Sequence, residues 1–159
     1  VTRADSQEHP SAFGPSVDVY VDTSALAKWY LNEDFSDEVE GFLQQILPAY
    51  ISPLTKVEMK SLLARRRREG SLDAGHEARV FSVFEGDLIS GHLVLLPLRA
   101  QHLLLAESIL GAVPDIPLRT LDALHLGILE AESMTLLATA DRVLARAAER
   151  RGLDCHTFF

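Results

Sequence analysis

Four acidic residues carry the chemical interest of this sequence: Asp22 in VYVDTSAL, Glu58 in SPLTKVEM, Asp122 in LRTLDALHLG and Asp141 in LLATADRVLARAA. Each has an ordinary structural explanation. Asp22 follows a strand and can cap the next helix by accepting from the amide of Ser24 or Ala25. Glu58 stands three residues after Thr55, the T-x-x-E spacing of a capping box. Ser52-Pro53 is nevertheless the better helix start, which leaves the Glu58 carboxylate free in the second turn. Asp122 falls in a first helical turn, where negative charge is favoured, and Asp141 can be another N-cap. Taken together the acids point elsewhere. Asp22, Glu58 and Asp141 all come just after strands, at one edge of a parallel sheet, with the helix of Asp122 beside them. Carboxylates that converge in a cleft repel one another and take up protons unless a cation compensates. Hard divalent ions such as Mg²⁺ or Mn²⁺ take oxygen ligands, keep several waters and bind phosphate. Arg119, three residues before Asp122, either contacts phosphate or pairs with one of the acids. His125, three residues after it, is either a ligand or a packed, hydrogen-bonded histidine.

The elements that must position these residues alternate along the chain. Strands are expected over 17–21, 49–52, 92–96, 135–138 and 153–157, the third reading as buried. Helices are expected over 23–31, 36–47, 53–69, 72–89, 99–112, 120–133 and 142–151. Val39, Phe42, Leu43, Ile46 and Leu47 recur at helical spacing. Gly70, Gly91 and Gly152 mark helix ends, and Ser71 is the expected start of the fourth helix. Ala123, Gly127 and Ala131 form a small-residue stripe suited to close helix packing. Short apolar strands alternating with amphipathic helices imply a parallel sheet covered on both faces, with ligands beyond the carboxyl ends of its strands.

The chain has 159 residues, enough for one domain with a sizeable core. Apolar residues make up 47% and charged residues 24%, which argues against long disorder. No apolar run approaches the roughly 18 residues needed to span a bilayer, so no membrane partner is expected. Residues 1–16 lack the apolar centre of a secretory signal and read as a flexible extension or an expression remnant. Cys155 stands alone, which rules out an intrachain disulfide and a thiolate zinc cluster and fits a cytoplasmic setting. The net charge of −8 argues against broad phosphate neutralisation, yet the arginines are clustered. Arg65 to Arg68 form an unbroken run, with Lys56 and Lys60 on the same helix, and Arg142, Arg146, Arg150 and Arg151 gather near the C-terminus. The run is either a solvated helix face or a surface for RNA or an acidic partner. Trp29, Tyr30, Phe42, Phe81 and Phe84 belong to the core or line an apolar groove.

The four quoted segments, in this order and at this spacing, resemble the motifs of PIN-domain nucleases, and the VapC-type toxins of bacterial toxin–antitoxin pairs in particular. The resemblance runs from Val17 to the C-terminus. It implies a three-layer α/β/α domain over 17–159 with a central parallel sheet, and metal-dependent cleavage of RNA. By that likeness Asp22, Glu58, Asp122 and Asp141 are the acidic quartet that holds Mg²⁺ or Mn²⁺. The first three are assigned chiefly to one ion, and Asp141 to a second ion or to orienting a water. Thr23, Ser24 and Thr139 become the supporting hydroxyls, with Arg119 nearby. A VapB-type antitoxin and a homodimer are the implied protein partners, the antitoxin lying against the helices 23–31 and 53–69. The N-terminal extension and the acidic balance depart from the pattern without touching the quartet.

Other classes fit less well. A haloacid-dehalogenase-like phosphatase needs a second aspartate where Ser24 stands, and a response-regulator receiver needs an early acidic pair. Neither G-x-S-x-G nor a glycine-rich nucleotide fingerprint occurs. The remaining rival is a catalytically silent PIN-like module that binds protein or RNA, since a fold does not guarantee activity.

Overall fold

The computed structural model describes residues 17–159; the expected N-terminal extension over 1–16 lies outside the described residues. The chain runs β1 (Val19–Val21), α1 (Thr23–Tyr30), α2 (Ser36–Ile46), β2 (Ala49–Ile51), α3 (Pro53–Arg68), α4 (Ala74–Ser90) and β3 (Leu93–Leu95). It continues through α5 (Ala100–Ala112), α6 (Thr120–Ala131), β4 (Leu136–Thr139), α7 (Arg142–Arg150) and β5 (Asp154–Thr157). The strands form one sheet in the order β3-β2-β1-β4-β5, with every pairing parallel. Tyr20 is in register with both Tyr50 of β2 and Leu137 of β4.

Strand periodicity divides the core into two layers. Side chains alternate across a sheet, so Val19 and Val21 face one way and Tyr20 the other. The valines pack with Leu26 of α1, Leu43 of α2, Met59 and Leu63 of α3, and Phe84 of α4. Tyr20 faces Ile109 of α5, Leu126 and Leu129 of α6, and Leu144 of α7. Helices on both faces explain why VYV is apolar throughout: a strand covered on both sides has no solvent face to make polar. The fold is the three-layer α/β/α arrangement with a central parallel sheet that the sequence implied. No helix among the described residues is long and apolar enough to cross a membrane.

Two expectations need correction. β3 is an edge strand and only its first residue is buried; Leu95 is 43% exposed. The apolar run HLVLL could not reveal this, because edge position follows from strand order. The fourth helix begins at Ala74, capped by Asp73, whose carboxylate accepts from the His76 amide at 2.7 Å. Ser71 instead donates to the Arg66 carbonyl at 3.0 Å and so closes α3. The small-residue stripe has a definite use at Gly127. A Cβ there would lie 2.7 Å from the backbone oxygen of His102, so α6 approaches α5 more closely than any side chain allows.

The order of strands places β1 at the centre. From it the chain first builds outward through β2 and β3, then returns to add β4 and β5 on the other side. The carboxyl ends of β1 and β4 therefore flank the topological switch point, where an open parallel sheet leaves a crevice. Asp22 is the residue after β1, and Asp141 lies two residues after β4.

Candidate active site

A cavity of about 480 Å³ opens at this crevice, and Asp22, Glu58, Asp122 and Asp141 all line it. Each arrives from a different element. Asp22 caps α1: its Oδ1 accepts from the Ala25 amide at 3.0 Å, and Ser24 Oγ donates to its two oxygens at 2.9 and 2.8 Å. Ser24 also accepts from the Ala140 amide at 2.8 Å, which ties the start of α1 to the loop after β4. Thr139 Oγ1 lies 3.3 Å from Ser24 Oγ and accepts from the Asp141 amide at 3.0 Å. Asp141 caps α7, its Oδ1 accepting from Val143 and Leu144. Capping and lining the cavity are thus compatible for Asp22 and Asp141, because a cap occupies only part of a carboxylate.

Glu58 lies in the second turn of α3, since Ser52 is the N-cap and Pro53 the first helical residue. Thr55 serves the start of its own helix, accepting from the Ser52 amide at 3.5 Å. The Glu58 carboxylate is therefore free of capping and turns to α1 and α6. Thr23 Oγ1 donates to its Oε2, and His125 Nε2 donates to the same oxygen at 2.8 Å. Asp122 is buried in the first turn of α6, where Arg119 Nε donates to its Oδ2 at 2.9 Å. The Arg119 guanidinium also reaches Asp141 Oδ2 at 3.0 Å. Of the two roles open to Arg119, pairing with the acids is the one in place.

The electrostatics differ from acid to acid. Asp22 is almost completely shielded from water, and that burial pushes its carboxyl above the ordinary aspartate range. His125 and the donors from Ala25, Ser24 and Thr139 oppose the rise without cancelling it. Burial raises Glu58 too, but there the His125 hydrogen bond and charge, with help from Thr23 and Arg119, prevail and hold it below the usual value. Arg119 is held above its ordinary value by its hydrogen bond and charge interaction with Asp122, with Asp141 and Glu58 adding to it.

As donors, four carboxylates, one of them the buried Asp22, fit a hard divalent cation. Their present arrangement is not a ready cage: among the described residues no three of His, Cys, Asp or Glu stand as a metal-holding group. The side chains are instead engaged in pairs, Glu58 with Thr23 and His125, and Asp122 and Asp141 with Arg119. Of the two alternatives open to His125 the structure shows the second, and one further participant, Tyr20, escaped the sequence reading. His125 is packed and hydrogen-bonded, but it also fixes Glu58, 67 positions earlier in the chain. Tyr20 Oη lies 2.7 Å from His125 Nδ1 and donates to Ser52 Oγ at 3.0 Å, so the support runs from the core to the site. Only strand alternation, which sends Tyr20 towards α6, hinted at this.

A five-stranded parallel sheet between two helical layers, with acids gathered at its switch point, defines an α/β nuclease-like domain of PIN type. Comparison agrees: the model of the PIN domain matches residues 19–150. The chain is 31% identical over 137 residues to Ribonuclease VapC46 of Mycobacterium tuberculosis, covering 85% of this chain and 93% of that one. In fold it is similar to the sarcin-ricin loop cleaving toxin VapC20 of M. tuberculosis, with a TM-score of 0.67 at 18% identity over 82% of this chain and 95% of that one. It is also similar to VapBC2 of Rickettsia felis bound to a promoter DNA fragment, with a TM-score of 0.65 at 12% identity over 90% and 100%. The chain belongs to the PIN-domain family and is a VapC-type member of it.

Proposed function

We propose that this protein is a metal-dependent endoribonuclease, the toxin of a type II toxin–antitoxin pair. The observation that carries the reading is the meeting of Asp22, Glu58, Asp122 and Asp141 in one cavity at the sheet's switch point. The likeness to a ribonuclease over most of the chain supports it. Hydrolysis adds water across one P–O bond of RNA. The quartet would hold Mg²⁺ or Mn²⁺, which supplies Lewis acidity and lowers the pKa of water.

The chain's own residues have separable tasks. Ser24 and the Ala25 amide fix Asp22, while His125 and Thr23 fix Glu58. Their rotamers are set before substrate arrives, as preorganised charge stabilisation requires. Thr139 holds the loop that presents Asp141. Arg119 has a side chain 73% exposed, so its guanidinium is placed to exchange Asp141 for a substrate phosphate. A VapB-type antitoxin is the expected protein partner, and a homodimer the expected assembly; complexes named VapBC among the structural relatives support the former. The cytoplasm is the proposed compartment.

One observation favours a second reading. Arg119 already neutralises part of the cluster and no three-ligand group is assembled among the described residues, as in a silent binding module. RNA cleavage by the antitoxin-free protein separates the two. Cleavage in Mg²⁺ or Mn²⁺ that is lost in EDTA and in Asp22→Asn is the expected result. Asp22→Asn cutting at the wild-type rate would sink the assignment.

A further inference from the structure

The arginine run on α3 has no part in the quartet, and tertiary structure sorts its members. Arg66 is paired with Glu33 of the α1–α2 connection, and Arg67 with Glu77 of α4 at 3.4 Å. The lysines of the same helix are also engaged, Lys56 with Glu85 at 3.1 Å and Lys60 with Glu77 at 3.8 Å. Arg65 and Arg68 differ. Both line the cavity that holds the acids, on the helix stripe that begins with Glu58 and continues through Ser61 and Leu62. Among the described residues Arg65 has only Glu69 as an ion-pair partner, at 4.0 Å on the exposed surface, a separation at which little energy is gained. Arg68 has no ion pair among the described residues.

We infer that Arg65 and Arg68 form a phosphate-holding arm of the site, gripping the RNA backbone on one side of the bond to be cut. The inference rests on the ribonuclease reading and says where the substrate strand leaves the acids. At a rise of about 1.5 Å per residue, Arg65 lies about 10 Å and Arg68 about 15 Å along the helix from Glu58. That is the range of the phosphates next along a strand whose scissile group sits at the quartet. Guanidinium forks suit phosphate oxygens, and neither side chain is held by an acid on another element among the described residues. Exposed Val57 and Leu121 line the same cavity and offer apolar surface on which bases can rest. This placement also answers how a chain of net charge −8 attracts a polyanion: the other cations on α3 are paired with acids of other elements, and the two that are not so paired among the described residues face the cavity.

An acidic segment of a protein partner is the competing occupant, so binding of a VapB-type antitoxin to the same proteins is measured beside RNA. Labelled single-stranded RNA is titrated against the full chain in EDTA across a range of salt, and its cleavage is followed in Mg²⁺. The proteins are wild type, Arg65→Gln/Arg68→Gln and, as control, Arg66→Gln/Arg67→Gln. Each phosphate contact on a single strand contributes about 0.7 to the slope of log K against log salt, so losing two flattens it by about 1.4. Across an approximately fourfold rise in salt, the Arg65/Arg68 variant therefore loses about sevenfold less affinity than wild type. KM rises in that variant with kcat little changed, and the control keeps the wild-type slope. An unchanged slope and KM in the Arg65/Arg68 variant, with wild type still cutting RNA, overturns the arm and leaves the nuclease standing. The same unchanged RNA behaviour with weakened antitoxin binding hands these arginines to the protein partner and also overturns it. Wild type that neither binds nor cuts RNA removes the ribonuclease reading itself.

Discussion

Replacing Asp22 by Asn should make the protein more stable without divalent ions while ending its activity. The substitution preserves shape and most of the cap. Asn is as good an N-cap as Asp, and its carbonyl can still accept from Ala25, now made by Asp22 Oδ1 at 3.0 Å. Ser24, whose hydroxyl now donates to both carboxylate oxygens, can turn to accept from the new amide. What changes is the charge. Asp22 is only 4% exposed, and burial holds its pKa above the ordinary value, so ionised Asp22 disfavours the folded state. Removing such a penalty falls in the range of other site-relieving substitutions, about 0.5–2 kcal/mol, or a few degrees in Tm for a chain of this size. The pH dependence follows in sign. A carboxyl with a raised folded pKa favours the folded state at low pH, and that advantage is lost as pH rises through the folded value. The gap between Asp22→Asn and wild type therefore opens at neutral pH and closes on acidification. With Mg²⁺ or Mn²⁺ the order should reverse, because ligand binding to the native state adds about 2.7 kcal/mol at a hundred times Kd, and Asn is the poorer ligand. Thermal melts in EDTA and in divalent metal, read beside RNA cleavage, measure every part of this. A less stable Asp22→Asn in EDTA, or metal raising both melting points equally, would refute the reasoning.

His125→Ala should lower stability by about 1–3 kcal/mol, because it leaves buried Tyr20 without one of its partners and removes a donor from Glu58. The same change should raise the Glu58 pKa, which carboxyl-detected NMR titration reads directly; a Glu58 titrating as in wild type would show that His125 does not hold it. Gly127→Ala forces a methyl to within 2.7 Å of the His102 carbonyl, and the resulting shift of α6 against α5 should cost about 1–3 kcal/mol in a urea melt. A neutral result there would mean that the two helices are less tightly seated than described.

Much of this protein is local, and what is local was legible. Asp22 and Asp141 cap helices through amides two or three residues away, and Ser52-Pro53 starts α3, so the chain's own neighbours fix those turns. The apolar run VYV marks a strand covered on both faces, and alternation of strands and helices fixes a parallel sheet. The acids and their approximate meeting place follow from there. Tertiary structure decided the rest. Whether β3 is buried depends on its rank in the sheet, and the run HLVLL reads the same in either position. Arg119 spans to Asp141 over 22 positions, and His125 to Glu58 over 67. Four consecutive arginines are identical as sequence, yet a helix points them about 100° apart, so two meet acids on other elements and two meet the cavity. Capping is settled by residues within one turn, whereas the partner of a long charged side chain is settled only when distant elements pack together.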